Sequence, residues 1–276
     1  MAEIGGRLVI RQGDDVAELE KLALETRAEA IFFNRDPDPF GRGVEERLEK
    51  MGARIGIAIR SFKDVAIHER DEVLTGGGDS FRVFTPYSKA WAKLAKPPVA
   101  KRIQRMQSPS GIFSLPLPEN ATWELPSAAG GVLEAGEKAS RLRMSVFLDS
   151  GLARYGAMRN IPSGRTTSRL SQDLRFGLIS IRELHRATLD KMETLDAAGR
   201  ASAATYVSEL VWREFYMQVL WNFPAVLEEE FNVKYRGMVW PGKSVSHSWE
   251  CGCRTDAKYR GVWFRSPSFH YRSRLS

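Results

Sequence analysis

Cysteine is nearly missing from this chain. Among 276 residues there are two, Cys251 and Cys253. A C-x-C pair with no second pair excludes a disulfide framework and gives too few thiols for a structural zinc site. They read as two incidental reduced thiols. Histidine is also scarce, and His68, His185, His247 and His270 lie scattered without metal or triad spacing. No metal is expected. No apolar run approaches the roughly 18 residues that a membrane span needs. Met1-Ala2-Glu3 has neither the basic start nor the apolar run of a secretory signal. The expectation is a cytoplasmic protein with no membrane partner. Internal repeats are absent. The glycine-rich Thr75-Gly76-Gly77-Gly78-Asp79 lacks the Lys-Ser/Thr of a P-loop and has no following helix, so it reads as a plain turn.

What is present is an ordinary globular composition with a net charge of +7. Residues 241–276 hold seven Lys/Arg against two Asp/Glu, so this tail carries +5 of that charge. A polyanion partner therefore cannot be read from charge alone. After Trp240-Pro241-Gly242 the pattern dissolves into Ser, Arg, Cys, Gly and isolated aromatics. The change favours an aberrant tail, such as a shifted reading frame, over 243–276.

Residues 7–62 alternate short apolar runs with amphipathic segments. Leu8–Ile10, Ala30–Phe33 and Ile55–Ile59 read as strands, and Asp15–Thr26 and Val44–Met51 as helices. That alternation predicts a parallel sheet with right-handed crossovers. Residues 63–145 are rich in Gly and Pro and read as a connector, with Phe81, Phe84, Tyr87 and Trp91 packing back on the first domain. Helical spacing returns at Glu137–Leu152. Ser180-Ile181-Arg182-Glu183 is a capping box opening a helix to about Asp190, and Ala201–Trp221 is a long helix. The resulting division is 1–92, 93–136, 137–242 and 243–276.

Two constellations carry chemistry. Thr166-Thr167-Ser168-Arg169-Leu170-Ser171, preceded by Tyr155 and Arg159, could cradle an anion with hydroxyls and free backbone donors. Its bland alternative, an N-cap for the next helix, stands ahead of it. On the long helix, Tyr206, Glu209, Trp212, Arg213 and Tyr216 recur at helical spacing. Such a stripe can grip a flat ring and a polar base edge. It can equally be a buried helix with a Glu209–Arg213 ion pair.

The order Tyr155…Arg159…Thr167-Ser168-Arg169-Leu170-Ser171…Phe176-Gly177…Glu209-Leu210-Val211-Trp212-Arg213-Glu214-Phe215 resembles the photolyase/cryptochrome family, most closely the microbial cyclobutane pyrimidine dimer photolyases. Val83-Phe84-Thr85-Pro86-Tyr87, followed by Trp91, is similar to that family's end of the antenna domain. The resemblance runs over roughly residues 6–240. It implies an α/β plus all-α fold: a partial Rossmann-like antenna domain, a long linker and a partial helical FAD-binding domain. It gives Tyr155, Thr167, Ser168, Arg169, Leu170, Ser171 and Tyr206 to FAD. Glu209 and Trp212 fall on the side of a flipped-out dimer, and Arg159, Arg213 and Tyr216 join them in contacting DNA. It further implies a folate or deazaflavin antenna pigment of undetermined type, DNA containing pyrimidine dimers as partner, and a monomer. Asp79 lies near a folate-holding position.

The chain departs from the family pattern at both ends. The family's opening strand and helix before Leu8 are not found, nor are the runs after Trp240 that carry Asn and Asp toward the flavin ring. The tryptophans that pass electrons to the flavin are also missing. Trp249 followed by Arg254-Thr255 is a faint echo of that region. The expectation is one wall of an FAD pocket, weak flavin binding, an exposed sheet and an inactive fragment. The alternatives are a cryptochrome-like blue-light receptor and a non-enzymatic remnant.

Overall fold

The structure is a computed structural model, and it describes residues 2–101, 103–119, 132–161, 163–164 and 166–238. The tail division at 243–276, with Cys251, Cys253 and Trp249, lies outside the described residues.

The N-terminal unit is a β-α-β core. Helix α1 (Asp15–Thr26) starts where Asp14 accepts from the Ala17 amide. It stops at Arg27 in the left-handed region. Strand β1 (Ala30–Asn34) then pairs in parallel with β2 (Ala58–Phe62), Ala30 opposite Ala58 and Asn34 opposite Phe62. Helix α2 (Pro39–Ile55) crosses between them. It is longer than the predicted Val44–Met51, because Asp38 caps the Gly41 amide at 2.7 Å and Pro39 sits in the first turn. Ile55 therefore ends a helix instead of opening a strand. Gly56, at φ 75°, turns the chain and shifts β2 three residues downstream of the expected Ile55 start. Val16, Leu48 and Met51 form the core of this unit with Ile31, Phe33 and Ile59 packed on them. Gly52 permits that packing, because any Cβ there would collide with Ile59.

Leu8–Ile10 is not a strand. The segment runs beside residues 106–115, where the Met106 amide donates to the Ile4 carbonyl and the Leu115 amide to the Ile10 carbonyl. The Arg7 and Ile10 amides donate to the Ser108 and Ser114 hydroxyls. Side-chain acceptors interrupt what a ladder would need, so no regular pairing forms. The face of the sheet away from α1 and α2 carries Phe32 and Phe62, stacked at 5.9 Å and 67% and 50% exposed. The expected exposed apolar surface is there.

Thr75–Asp79 is a turn, as expected. The Thr75 amide donates to the Asp79 carbonyl, and Leu74 and Ser80 form an isolated antiparallel bridge. Helix α3 (Phe84–Lys93) breaks up the connector and buries Tyr87 and Trp91. The C-terminal unit contains α4 (Glu137–Val146), a π-helical turn at Phe147–Gly151, a 3-10 turn at Leu152–Arg154 and the short α5 (Tyr155–Met158). Then come α6 (Ser171–Arg175), α7 (Ile181–Glu193) and α8 (Ala197–Asn222). The Ser180 hydroxyl caps α7 by accepting from the Arg182 amide, and Asp196 caps α8 through the Gly199 amide. One apolar core spans both units, joining Ile67, Tyr87 and Trp91 to Leu152, Leu184 and Phe215.

At the centre of that junction lies Glu214 of α8, 1% exposed. Its carboxylate accepts from the Ile67 amide at 2.5 Å, the His68 amide at 3.2 Å and the Trp91 indole at 2.6 Å. Burial pushes its carboxyl above the usual range, and the three N–H donors pull it back. His68 and His185 flank Trp91 edge-on at 5.6 and 5.5 Å, and the Lys96 ammonium sits 3.8 Å from the Trp91 ring centroid.

Burial lowers both histidines to about 4, with Lys96 repelling the charged forms and Glu72 opposing this at His68. Both are therefore neutral in the fold and regain an ordinary pKa near 6.5 when unfolded. Their contribution is complete above that value and is lost as pH falls from about 6.5 toward 4. Glu214, raised by burial, titrates in the opposite sense and offsets part of the loss. Denaturant unfolding at pH 7 and pH 5 should show a drop on the order of 1–2 kcal/mol per histidine. His185→Leu should remove about half of the acid dependence.

Candidate functional site

The hydroxyl loop, the π-helical turn and the middle of α8 meet at a cluster of rings. Tyr206 is buried, its ring 4.6 Å from Phe147 and 5.0 Å from Tyr155. Phe147 and Tyr155 are edge-on at 6.0 Å. Burial pushes the Tyr206 hydroxyl pKa up to about 12, against the lowering effect of the neighbouring Ser168 side chain. Tyr155 is also raised by burial, while a hydrogen bond from Arg159 lowers it. Residues far apart in sequence, Tyr155, Ser168 and Tyr206, thus converge.

Close packing brings them together. The Ser202 hydroxyl accepts from the Gly156 amide at 2.8 Å and donates to the Leu152 carbonyl at 2.7 Å, fixing α5 against α8. A side chain at Gly156 would press within 3.3 Å of the Ser202 backbone, and one at Gly151 would meet the Phe147 ring at 2.7 Å. Phe147 opens the π-helical turn and packs its ring against Tyr206 and Tyr155. Such turns are frequent at functional sites.

Arg159 and Glu209 form an ion pair at the rim, each about one-third exposed. Glu209 beside it, with the Tyr155 hydroxyl, holds the Arg159 guanidinium above its ordinary pKa. The alternative Glu209–Arg213 pair does not form. Arg213 instead donates to the Val65 carbonyl at 2.5 Å, with burial and then Arg175 lowering its pKa. Trp212 stacks on Phe84 of α3 at 3.6 Å and 8°, and on Tyr216 at 5.5 Å. Tyr216 is 63% exposed. The stripe is therefore divided. Tyr206 faces the hydroxyl loop, Glu209 pairs with Arg159 at the rim, Trp212 and Tyr216 form an aromatic step with Phe84, and Arg213 turns toward the N-terminal unit.

Within the loop, Thr167, Arg169 and Ser171 are exposed, Ser168 is half-buried and Leu170 lies in the core. Arg169 adopts φ 53°. The N-cap alternative fails, because the residue at the cap of α6 is Leu170, which makes no side-chain cap. The Thr167 and Ser171 hydroxyls are left for another partner, and the Thr166 hydroxyl is buried with no protein partner.

The first 106 residues match the model of the DNA photolyase family. A deoxyribodipyrimidine photo-lyase of Synechococcus sp. (strain PCC 6301) is 32% identical over 88% of this chain and 52% of its own length. The class III photolyase of Agrobacterium tumefaciens superposes with a TM-score of 0.79 at 26% identity, over 90% of this chain and 52% of that one.

This chain belongs to the DNA photolyase/cryptochrome family.

A cryptochrome of Synechocystis sp. PCC6803 shares the fold, at TM-score 0.79 and 19% identity over 91% of this chain and 54% of its own. The chain spans about half the length of the photo-lyases it matches. Among the described residues, no helix is long and apolar enough to cross a membrane.

Sequence reasoning missed Phe84, Phe147, Ser202 and Glu214 as members or supports of this site. Ser202 was within reach, since it lies one turn before Tyr206 on the same side of α8. Phe147 was not, because a π-turn has no signature in apolar spacing. Ser202→Ala should leave the Gly156 amide without its hydroxyl acceptor, the Leu152 carbonyl keeping the Tyr155 amide, and destabilise by about 1–2 kcal/mol in denaturant unfolding.

Proposed function

We propose that this chain supplies the hydroxyl-loop and lesion-side residues of a site for light-dependent splitting of cyclobutane pyrimidine dimers in DNA. The observation that supports this best is the convergence of Tyr155, Ser168 and Tyr206 beside a rim formed by Arg159, Glu209 and Trp212. A cluster of rings beside a hydroxyl-bearing loop suits a cofactor that has both a flat face and phosphates. Part-exposed carboxylate, guanidinium and indole groups suit an unstacked base.

The donor chemistry fits FAD. Thr167, Ser168 and Ser171 offer hydroxyls that no cap uses, Thr166 offers a buried one, and Arg169 offers charge. Leu170 is buried, so its backbone and not its side chain would face the cofactor. Tyr155 and Tyr206 would close the apolar side. When bound, reduced FAD supplies a light-driven electron donor for ring splitting. The residues of this chain bind it, orient it and present the lesion. Asp79 lies in a turn closed by its own backbone on Thr75.

On the DNA side, Glu209 and Arg159 neutralise one another in the free protein. Binding exchanges these partners: Arg159 moves to a phosphate, and Glu209 accepts from a base N–H. Phe84 and Tyr216 both stack on Trp212, so a base would reach the indole by displacing the exposed Tyr216 ring. A dimer reaches it at low cost because it already stacks and pairs poorly. Arg213 is the least available DNA contact, since it must first leave the Val65 carbonyl.

Fluorescence polarisation with matched oligonucleotides, with and without one thymine dimer, tests the reading. The chain should prefer the dimer strand, and Trp212→Ala should weaken that binding by roughly 5–100-fold, the range for losing one base–aromatic stack. With added FAD and a reductant, blue light should leave the dimer intact, because this chain supplies only one wall of the flavin pocket. Equal affinity for both strands would overturn the proposal.

A further inference from the structure

Beyond the carboxyl ends of β1 and β2 lies a small cleft closed by α8. It is lined by Asp36, Val65, His68, Glu69, Gln218 and Trp221, among others, and encloses about 20 Å³. Crevices in this position are where open α/β sheets receive ligands. Three side chains that line it carry polar atoms buried from solvent and without a protein partner. They are Gln218 at both Oε1 and Nε2, His68 at Nε2 and Glu69 at Oε1. Gln218 is only 3% exposed and His68 only 6%. A carboxamide placed in mid-helix with both ends unpaired is a strong anomaly, since buried polar groups in folded proteins are almost always hydrogen-bonded.

The surroundings define the missing partner. Every charge at the cleft already has an opposite charge nearby. Arg35 donates to Glu69 Oε2 at 2.8 Å, Arg70 pairs with Glu45 at 2.6 Å, and Asp36 faces Arg175 at 3.6 Å. A cation or an anion would therefore add an uncompensated charge, so the partner is neutral. The available groups include acceptors on Gln218 and Glu69, a donor on Gln218 and one unpaired ring nitrogen on His68. A bridging molecule must both donate and accept. The enclosed volume admits one such molecule of water size, for which roughly 10–15 Å³ suffices. Trp221 caps the opening, held between the Arg42 and Arg70 guanidiniums at 4.0 and 4.2 Å from its ring centroid.

We infer that this cleft binds one ordered water molecule, bridging Gln218 of α8 to His68 and Glu69 of the loop after β2. The water is a polar cross-link between the two units, a few residues along α8 from Glu214. It gives Gln218 a role in joining the units that its apolar helix surroundings would not suggest.

The sign of one stability change tests this. Gln218→Met keeps the length of the side chain and removes both polar ends. If the water is bound, the variant loses its anchor and the thermal midpoint of the intact chain should fall on the order of 2–4 °C. If the amide is truly orphaned, removing it is stabilising and the midpoint should rise. A crystal structure of the unsubstituted chain gives the second measurement, independent of how the variant folds. Density for one molecule within hydrogen-bond distance of Gln218 and of either His68 or Glu69 supports the inference. A dry cleft, an organic molecule or an ion in that place, or an unchanged or raised midpoint, overturns it.

Discussion

The Glu214 carboxylate is the contact on which the rest of the arrangement turns. It sits in the middle of a helix buried nearly all round, so apolar packing alone defines the rotation of α8 poorly. Three directed N–H bonds define it well. Two come from the loop after β2 and one from Trp91 of α3, so one side chain registers the helix against both parts of the N-terminal unit. A buried carboxylate contributes in this way only when its partners are complete, because an unpaired one is strongly destabilising. The same rotation places Tyr206 against the hydroxyl loop, Glu209 at the rim and Trp212 on Phe84.

This makes the site a product of the interface between units. Phe84 comes from the end of the N-terminal unit, while Trp212 comes from the helical one. Arg213 bridges back to Val65, and Arg42 packs on Trp221. The ring cluster, by contrast, is built within the helical unit by Phe147, Tyr155, Ser168 and Tyr206. The two halves of the proposed chemistry therefore rest on different supports. The cofactor side depends on local packing, and the DNA side depends on how the units meet.

Much of this was legible in the sequence where local rules apply. Asp15–Thr26 matches α1 at both ends, because Asp14 is a strong cap and the apolar spacing is clean. Ala30–Phe33 and the Ser180 cap were equally plain. The errors have physical causes. Leu8–Ile10 has strand composition, but its backbone partners are serine hydroxyls. The α2 boundary was hidden by two glycines and a proline that the Asp38 cap makes tolerable. At the site, the motif residues were legible through resemblance and their grouping on α8 through spacing. Their partners were not. Nothing in the spacing shows that Glu209 pairs with Arg159 across 50 positions, or that Glu214, beside the recognised stripe, anchors it.

The central claim is that Glu214 fixes the orientation of α8. It is tested most directly by amide hydrogen exchange at Ile67 and His68, read residue by residue in the native protein and in Glu214→Gln. The account predicts that both amides exchange only with global unfolding in the native chain. In the variant, where the amide group cannot accept from all three donors, at least one should exchange tenfold faster or more through local opening. Unchanged protection at both amides in Glu214→Gln would contradict it.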